Sequence, residues 1–350
     1  MNNYYLSSLE SLGYKKLVFF GMGGIGVRFY RTFCIDKKVI PKPIYWVDNN
    51  IAKQNTSIDN IPVMLPEMLK KFKAKETAII ITAGVSHVLS ILSQLQTMGL
   101  YYYDIYSAQH IEAYYYFNEN KDKLNKVMGM FEDEKSIYIY KSLIDNMKYG
   151  RPIDFSLYEP NQYYNNDVIP YLNNNEVIID AGVCEGEEID IALKMNDKVK
   201  IYAFEPNHSS MELLKTKYSN DSRVTLYEKA LWNKNQELYF DTSGLASGSR
   251  VTELNQPVST STIKAISLDA QIQNEKVTLI KMDIEGAEYN ALLGAEMTIK
   301  KYRPKLSICC YHRVEDYIEI PLLIKKMNPD YKLYFRHYNA TLEESVIYAL

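Results

Sequence analysis

Asp180, Gly182 and Gly186 stand in the order Asp-x-Gly-x-x-x-Gly, behind the apolar run Val177-Ile178-Ile179 and ahead of a helical pattern from Glu187 to Leu193. A buried strand that ends in an acid and turns through glycines into a helix lets a ligand approach the backbone at the strand's carboxyl end. A second apolar run, Ile201-Tyr202-Ala203-Phe204, closes on Glu205. That acid falls about 20 residues past the glycines, the spacing at which a carboxylate meets a ribose. Its two acceptor oxygens match a cis-diol. The pair reads as an adenosine-binding half-sheet, with helix capping or surface solvation as the alternative use of Asp180 and Glu205.

A similar arrangement occurs earlier in the chain. Leu17-Val18-Phe19-Phe20 runs into Gly21-Met22-Gly23-Gly24-Ile25-Gly26, a helical pattern follows from Val27 to Phe33, and the strand Pro43 to Val47 ends in Asp48. Gly21, Gly23, Gly26 and Asp48 are therefore candidates for holding a nucleotide or nucleotide-sugar, the alternative being a turn kept for close strand–helix packing. The strand Thr77 to Thr82 and an amphipathic helix from His87 to Gln96 complete a small open α/β domain over residues 1–110.

Residues 111–170, rich in Tyr and Asn, read as a helical connector, with Gly150-Arg151-Pro152 as a turn. Tyr114 to Tyr116 and the pair Tyr163-Tyr164 could stack on a ring, but aromatic clusters are usually core and are read as packing between the domains. The third region, 171–350, again alternates strand and helix. Strands are expected at Val224 to Tyr227, Leu238 to Phe240, Ile263 to Leu268, Val277 to Met282 and Leu306 to Cys310, then at Tyr331 to Phe335 and Val346 to Leu350. The small, polar stretch 242–249 would suit a mobile substrate loop or a linker. A seven-stranded sheet ending in a hairpin follows, unlike the second parallel half of a dinucleotide dehydrogenase.

The balance of residues narrows the partners. With 350 residues, 47% hydrophobic and 24% charged, the chain has material for two globular domains. A net charge of −3 without a Lys/Arg block offers no footprint for nucleic acid or an anionic membrane. No apolar run approaches the ~20 residues of a membrane span, and Met1 to Tyr5 lacks the charge and apolar core of a leader. Cys34, Cys184, Cys309 and Cys310 have neither zinc spacing nor a disulfide pattern, which suits a reducing cytoplasm.

Residues 176–350 resemble the FkbM-type S-adenosylmethionine methyltransferases. The resemblance rests on Asp180-x-Gly182-x-x-x-Gly186, Phe204-Glu205-Pro206-Asn207, Leu268-Asp269, Lys281-Met282-Asp283-Ile284-Glu285-Gly286-Ala287-Glu288 and Tyr311-His312. It departs from many members at Val183-Cys184-Glu185. It implies a Rossmann-like class I methyltransferase fold, S-adenosylmethionine as cofactor, and methylation of a hydroxyl on a sugar or natural product. The stretch 17–66 resembles the small Rossmann-like domain preceding the catalytic part of bacterial sugar-modifying enzymes, through its glycine turn, Val47-Asp48-Asn49-Asn50 and Ile61-Pro62-Val63. That implies a sugar or nucleotide-sugar acceptor.

On this reading Asp180 would hold the methionine ammonium, Gly182 and Gly186 keep side chains away, Glu205 takes the ribose, and Ala230, between Lys229 and Leu231, flanks adenine. A protonated hydroxyl is a poor nucleophile, so a general base is expected: His312 first, Asp283 second, His337 third, with a structural role the alternative for each. Asp283, Glu285, Glu288 and His312 could converge on Mg²⁺, although acids at Glu285 and Glu288 also suit a helix start. Other readings are an NAD(P)-dependent oxidoreductase or epimerase, opposed by the absence of Tyr-x-x-x-Lys beside the half-sheet, and a non-catalytic adenosylmethionine-binding module. A homo-oligomer is compatible with all of these.

Overall fold

The computed structural model describes residues 15–100, 102–149, 158–164, 166–241, 250–252, 260–339 and 342–350. The expected loop at 242–249 and the turn at 150–152 lie outside them. Compactness divides the chain into two units, residues 1–119 with 144–152 and residues 120–143 with 153–350.

The first unit is built on a six-stranded sheet with the order β3-β4-β2-β1-β5-β6. Its strands are β1 (Lys16–Phe20), β2 (Tyr45–Val47), β3 (Ser57–Ile58), β4 (Ile61–Met64), β5 (Thr77–Ile81) and β6 (Asp104–Ser107), parallel except for the β3–β4 pair. Successive side chains of a strand point to opposite faces, and both faces of β1 are covered. Leu17 and Phe19 pack with Phe29, Phe33 and Trp46 on one side, while Val18 and Phe20 pack with Ile79, Leu92 and Leu95 on the other. The helix after the glycine turn, α1 (Gly24–Phe29), starts three residues earlier than its apolar pattern suggests and continues in π-helical winding over Tyr30–Asp36. α2 (Val85–Thr97) follows β5, and α3 (Ala108–Glu119) follows β6, a strand the sequence reading did not anticipate.

The second unit begins with α4 (Lys121–Met128) and the first part of α5 (Glu134–Tyr149). Strand and helix then alternate: β7 (Val177–Ala181), α6 (Glu187–Met195), β8 (Lys200–Phe204), α7 (His208–Lys217), β9 (Val224–Tyr227). After β10 (Ala230–Leu231), β11 (Gln236–Asp241), β12 (Arg250–Thr252), β13 (Thr260–Ile266) and α8 (Leu268–Gln271) come β14 (Leu279–Met282), α9 (Glu288–Leu293), α10 (Glu296–Tyr302) and β15 (Lys305–Cys309). α11 (Asp316–Met327) and the strands β16 (Leu333–His337) and β17 (Ser345–Ala349) close the chain.

Seven of these strands form one sheet, β16-β17-β15-β14-β7-β8-β9, and β17 runs antiparallel to both neighbours. The expected seven strands and terminal hairpin are present, with the two hairpin strands shifted by two residues and one residue from their expected starts. The strands around Leu238 and Ile263 belong to a separate four-stranded sheet, β10-β13-β11-β12. In the main sheet β8 lies on one side of β7 and β14 on the other. The chain thus reverses its winding direction at β7, where open α/β sheets leave a crevice at the carboxyl ends of their strands.

Candidate active site

Register decides what reaches that crevice. Ala181 is level with Phe204 and Met282, so Gly182, Glu205 and Asp283 leave the sheet side by side. Gly182 has φ +79°, and a Cβ there would sit 1.7 Å from the Asp283 carbonyl oxygen. Only glycine allows the turn to pass this close to the end of β14. Cys184 continues the turn at φ +51° and donates its N–H to Glu205 Oε2 at 3.0 Å, while Asn207 N–H reaches Oε1 at 2.8 Å. Glu205 is buried, and burial pushes its carboxyl above the ordinary value in opposition to these donors. Gly186 lies just ahead of α6, against the Tyr218 ring, and Ala230 is buried at the start of β10, three residues beyond β9.

Asp180 is paired below the turn. Its Oδ1 lies 3.0 Å from Lys281 Nζ, both side chains being almost wholly buried, and the ammonium also donates to the Gly182 carbonyl at 2.7 Å. Burial raises the Asp180 carboxyl to about 6, and the facing carboxylate holds the Lys281 ammonium above its ordinary value despite burial. The sequence signal of Lys281 was a lone charge in the buried strand Leu279-Ile280-Lys281-Met282.

Asp283 is gripped from several directions. Tyr163 donates its hydroxyl to Oδ2 at 2.7 Å, and the Tyr311 hydroxyl lies 3.2 Å from Oδ1. Tyr163 comes from a segment well ahead of the sheet, at φ +62°, fixed by its N–H to the Tyr348 hydroxyl and its carbonyl to Ser307. It sits in the core of the second unit beside Asp283, a place that the reading of the tyrosine pair did not foresee. His312, after β15, brings Nε2 to 3.4 Å from Asp283 Oδ1 and 3.8 Å from Glu285 Oε2, with Nδ1 3.1 Å from Glu288 Oε1. Burial alone would lower the imidazole, but Glu288, Asp283 and Glu285 raise it to about 9. Burial likewise opposes ionisation of Asp283, yet His312 and Lys281 hold it below the ordinary carboxylate value. At neutral pH, Asp283 is thus the group able to accept a proton, and His312 is a cation beside it. His337 is elsewhere: it lies in the edge strand β16, separated from β14 by β17 and β15, with Nδ1 on Ser345 Oγ at 2.9 Å.

In the first unit Asp48 closes the glycine turn. Its Oδ2 accepts Met22 N–H and Lys53 Nζ, each at 2.8 Å, and its Oδ1 accepts Asn50 N–H at 2.8 Å. Gly26 serves packing, since a Cβ there would lie 2.1 Å from the Gly21 carbonyl, whereas Gly23 faces open space.

Residues 180–339 match the family model described as Methyltransferase FkbM domain. The chain carries an FkbM methyltransferase domain. A crystal structure of methyltransferase FkbM from Methylobacillus flagellatus KT is similar over 100% of this chain and 95% of that one, with a TM-score of 0.63 at 16% identity. That likeness extends the shared fold across the whole chain. Fibrillarin from Aeropyrum pernix, solved with natively bound S-adenosyl-L-methionine, is similar at a TM-score of 0.35 and 8% identity, over 52% of this chain and 69% of that one. No curated protein matches the chain by sequence. The FkbM domain contains the Gly182 turn, Glu205, Asp283 and His312, while Tyr163 precedes it. Among the described residues, no helix is long and apolar enough to cross a membrane.

Proposed function

We propose that the chain is an S-adenosylmethionine-dependent O-methyltransferase acting on a hydroxyl of a sugar, nucleotide-sugar or glycoconjugate precursor. The observation that carries the cofactor is Glu205, buried at the end of β8 with its carboxylate fixed by backbone N–H groups of the glycine turn and of Asn207, at the place where a ribose diol would meet it. Gly182, Gly186 and Ala230 would flank the same ligand, with Asp180 held by Lys281 beneath the turn. When bound, adenosylmethionine supplies an electrophilic methyl group on a sulfonium. Asp283 supplies the acceptor side: held by Tyr163 and Tyr311, its carboxylate orients a hydroxyl and takes its proton as the oxygen is methylated. Alignment of oxygen, methyl and sulfur then contributes on the order of 7–11 kcal/mol of rate enhancement. The sugar class rests on the likeness of the first unit to domains of sugar-modifying enzymes; Gly21, Gly23 and Asp48 would border its ligand, with Gly26 packing the turn.

A thermal-shift titration tests the cofactor. S-adenosylmethionine or S-adenosylhomocysteine at about 100 times its dissociation constant should stabilise the chain by about 2.7 kcal/mol. Glu205→Ala should abolish that gain. Stabilisation by NAD(H) or NADP(H) in place of the adenosyl-sulfur compounds would overturn the reading. Nucleotide-sugars and free sugars, supplied with methyl-labelled cofactor, then test the acceptor.

A further inference from the structure

We propose that Asp283, Glu288 and His312 form a binding site for a single divalent transition-metal cation, with Glu285 at its rim. Each of the three offers one ligand atom, and these atoms lie within 4.8 Å of one another. Donors around one ion with bonds of about 2.1 Å stand about 3 to 4.2 Å apart, and an imidazole gives an ion one nitrogen: Nε2 lies 3.4 Å from Asp283 Oδ1 and 3.8 Å from Glu285 Oε2, within that range, while Glu288 Oε1 stands 3.1 Å from the other nitrogen, Nδ1.

Two further observations point to a ligand. The Glu288 side chain is fully buried and His312 is 4% exposed, yet Glu288 Oε2 and both imidazole nitrogens lack a hydrogen-bond partner of acceptable geometry. Buried polar atoms in native proteins are nearly always satisfied, and an ion is one of the groups that satisfies them. The formal charge agrees. Three carboxylates stand about one imidazole, a local excess of negative charge that a divalent ion offsets. Imidazole with carboxylates suits manganese, iron(II) or zinc, while magnesium prefers oxygen donors alone. Asp283 and Glu285 are about a quarter exposed, so the centre opens towards solvent on their side. If the chain is the O-methyltransferase proposed above, the ion would lower the pKa of an acceptor hydroxyl at Asp283. Ion binding itself does not depend on that reading.

The test is a titration of the EDTA-treated full chain with MnCl2, followed by electron paramagnetic resonance. One Mn²⁺ per chain should bind, with spin-echo modulation from a coordinated imidazole nitrogen in the unsubstituted protein. Asp283→Asn and His312→Gln should each weaken binding at least about tenfold. Glu228→Gln, in the exposed His208–Glu212–Glu228 group, should leave it unchanged. No binding at millimolar Mn²⁺, no nitrogen modulation, or loss of binding in Glu228→Gln would each overturn the site. If His312→Gln does not fold, Glu285→Gln at the rim should still weaken binding, and an unchanged affinity there would count against the centre. Titrating S-adenosylmethionine into the same EDTA-treated chain reports separately on the methyltransferase reading.

Discussion

Tyr163 and Gly182 show how single residues set the geometry of the crevice. The Tyr163 hydroxyl is one of two on Asp283, and its ring is held from below by Lys281, whose Nζ lies 5.0 Å from the ring centroid. Tyr163→Phe keeps the ring and removes the bond. Its expected effect is a roughly tenfold fall in kcat, of the size of one hydrogen bond to a charged group, with adenosylmethionine affinity unchanged. Steady-state kinetics beside a binding titration would reveal it, and a parallel loss of affinity would assign Tyr163 to the cofactor. Gly182→Ala should cost more than about 3 kcal/mol in urea unfolding, since the methyl group meets backbone that cannot move aside. Gly182 was legible in the sequence because its constraint is local, a turn after a strand. Tyr163 was visible only as half of an aromatic pair, since its partner Asp283 lies far along the chain and nothing near Tyr163 records that meeting.

At the scale of elements, β7 and β14 are joined by charge as well as by backbone. Lys281→Met leaves Asp180 buried without its counter-ion and should destabilise by about 3–5 kcal/mol, whereas Lys281→Met combined with Asp180→Asn should recover much of that loss. A double-mutant cycle in urea measures the difference, and additive costs would show that the pair is not coupled. The parallel strands were legible as apolar runs because sheets covered on both faces need side chains of one kind. The four-stranded sheet was not: β10 is two residues long and finds β13 only through a distant pairing, which periodicity cannot report. Nor does the apolar spacing of Val27 to Phe33 reveal the π-helical winding, which changes the backbone ladder while keeping Phe29 and Phe33 in the core.

For the molecule as a whole, a network in the second unit sets the response to acid. Arg336 forms ion pairs with Asp133 and Asp167, each at 2.8 Å, and also donates to Ser136. Burial opposes ionisation of both acids, but Arg336 outweighs it and holds them below the ordinary carboxylate value. Their contribution is therefore present above about pH 4 and is lost as pH falls through the lowered native values. Asp133→Asn with Asp167→Asn should lower the melting temperature at pH 7 and flatten its fall below pH 4. An unchanged acid profile would remove the network from this role. Hydrogen exchange gives a second view: adenosylmethionine should protect peptides around Gly182, Glu205 and Ala230, and none around Gly21 to Gly26.

The same arginine restricts how such a gene can be rearranged. Arg336 lies in β16, near the end of the chain, yet the acids that neutralise it stand ahead of β7, and Phe131 bridges to Leu333 in the same strand. A recombination event that moved only the stretch from the first strand of the methyltransferase sheet onward would deliver a guanidinium without its counter-charges. Shuffling between genes that kept this ion network would have to carry the stretch from Asp133 to Asp167 along with the sheet, a larger piece than the sequence motifs alone would mark out.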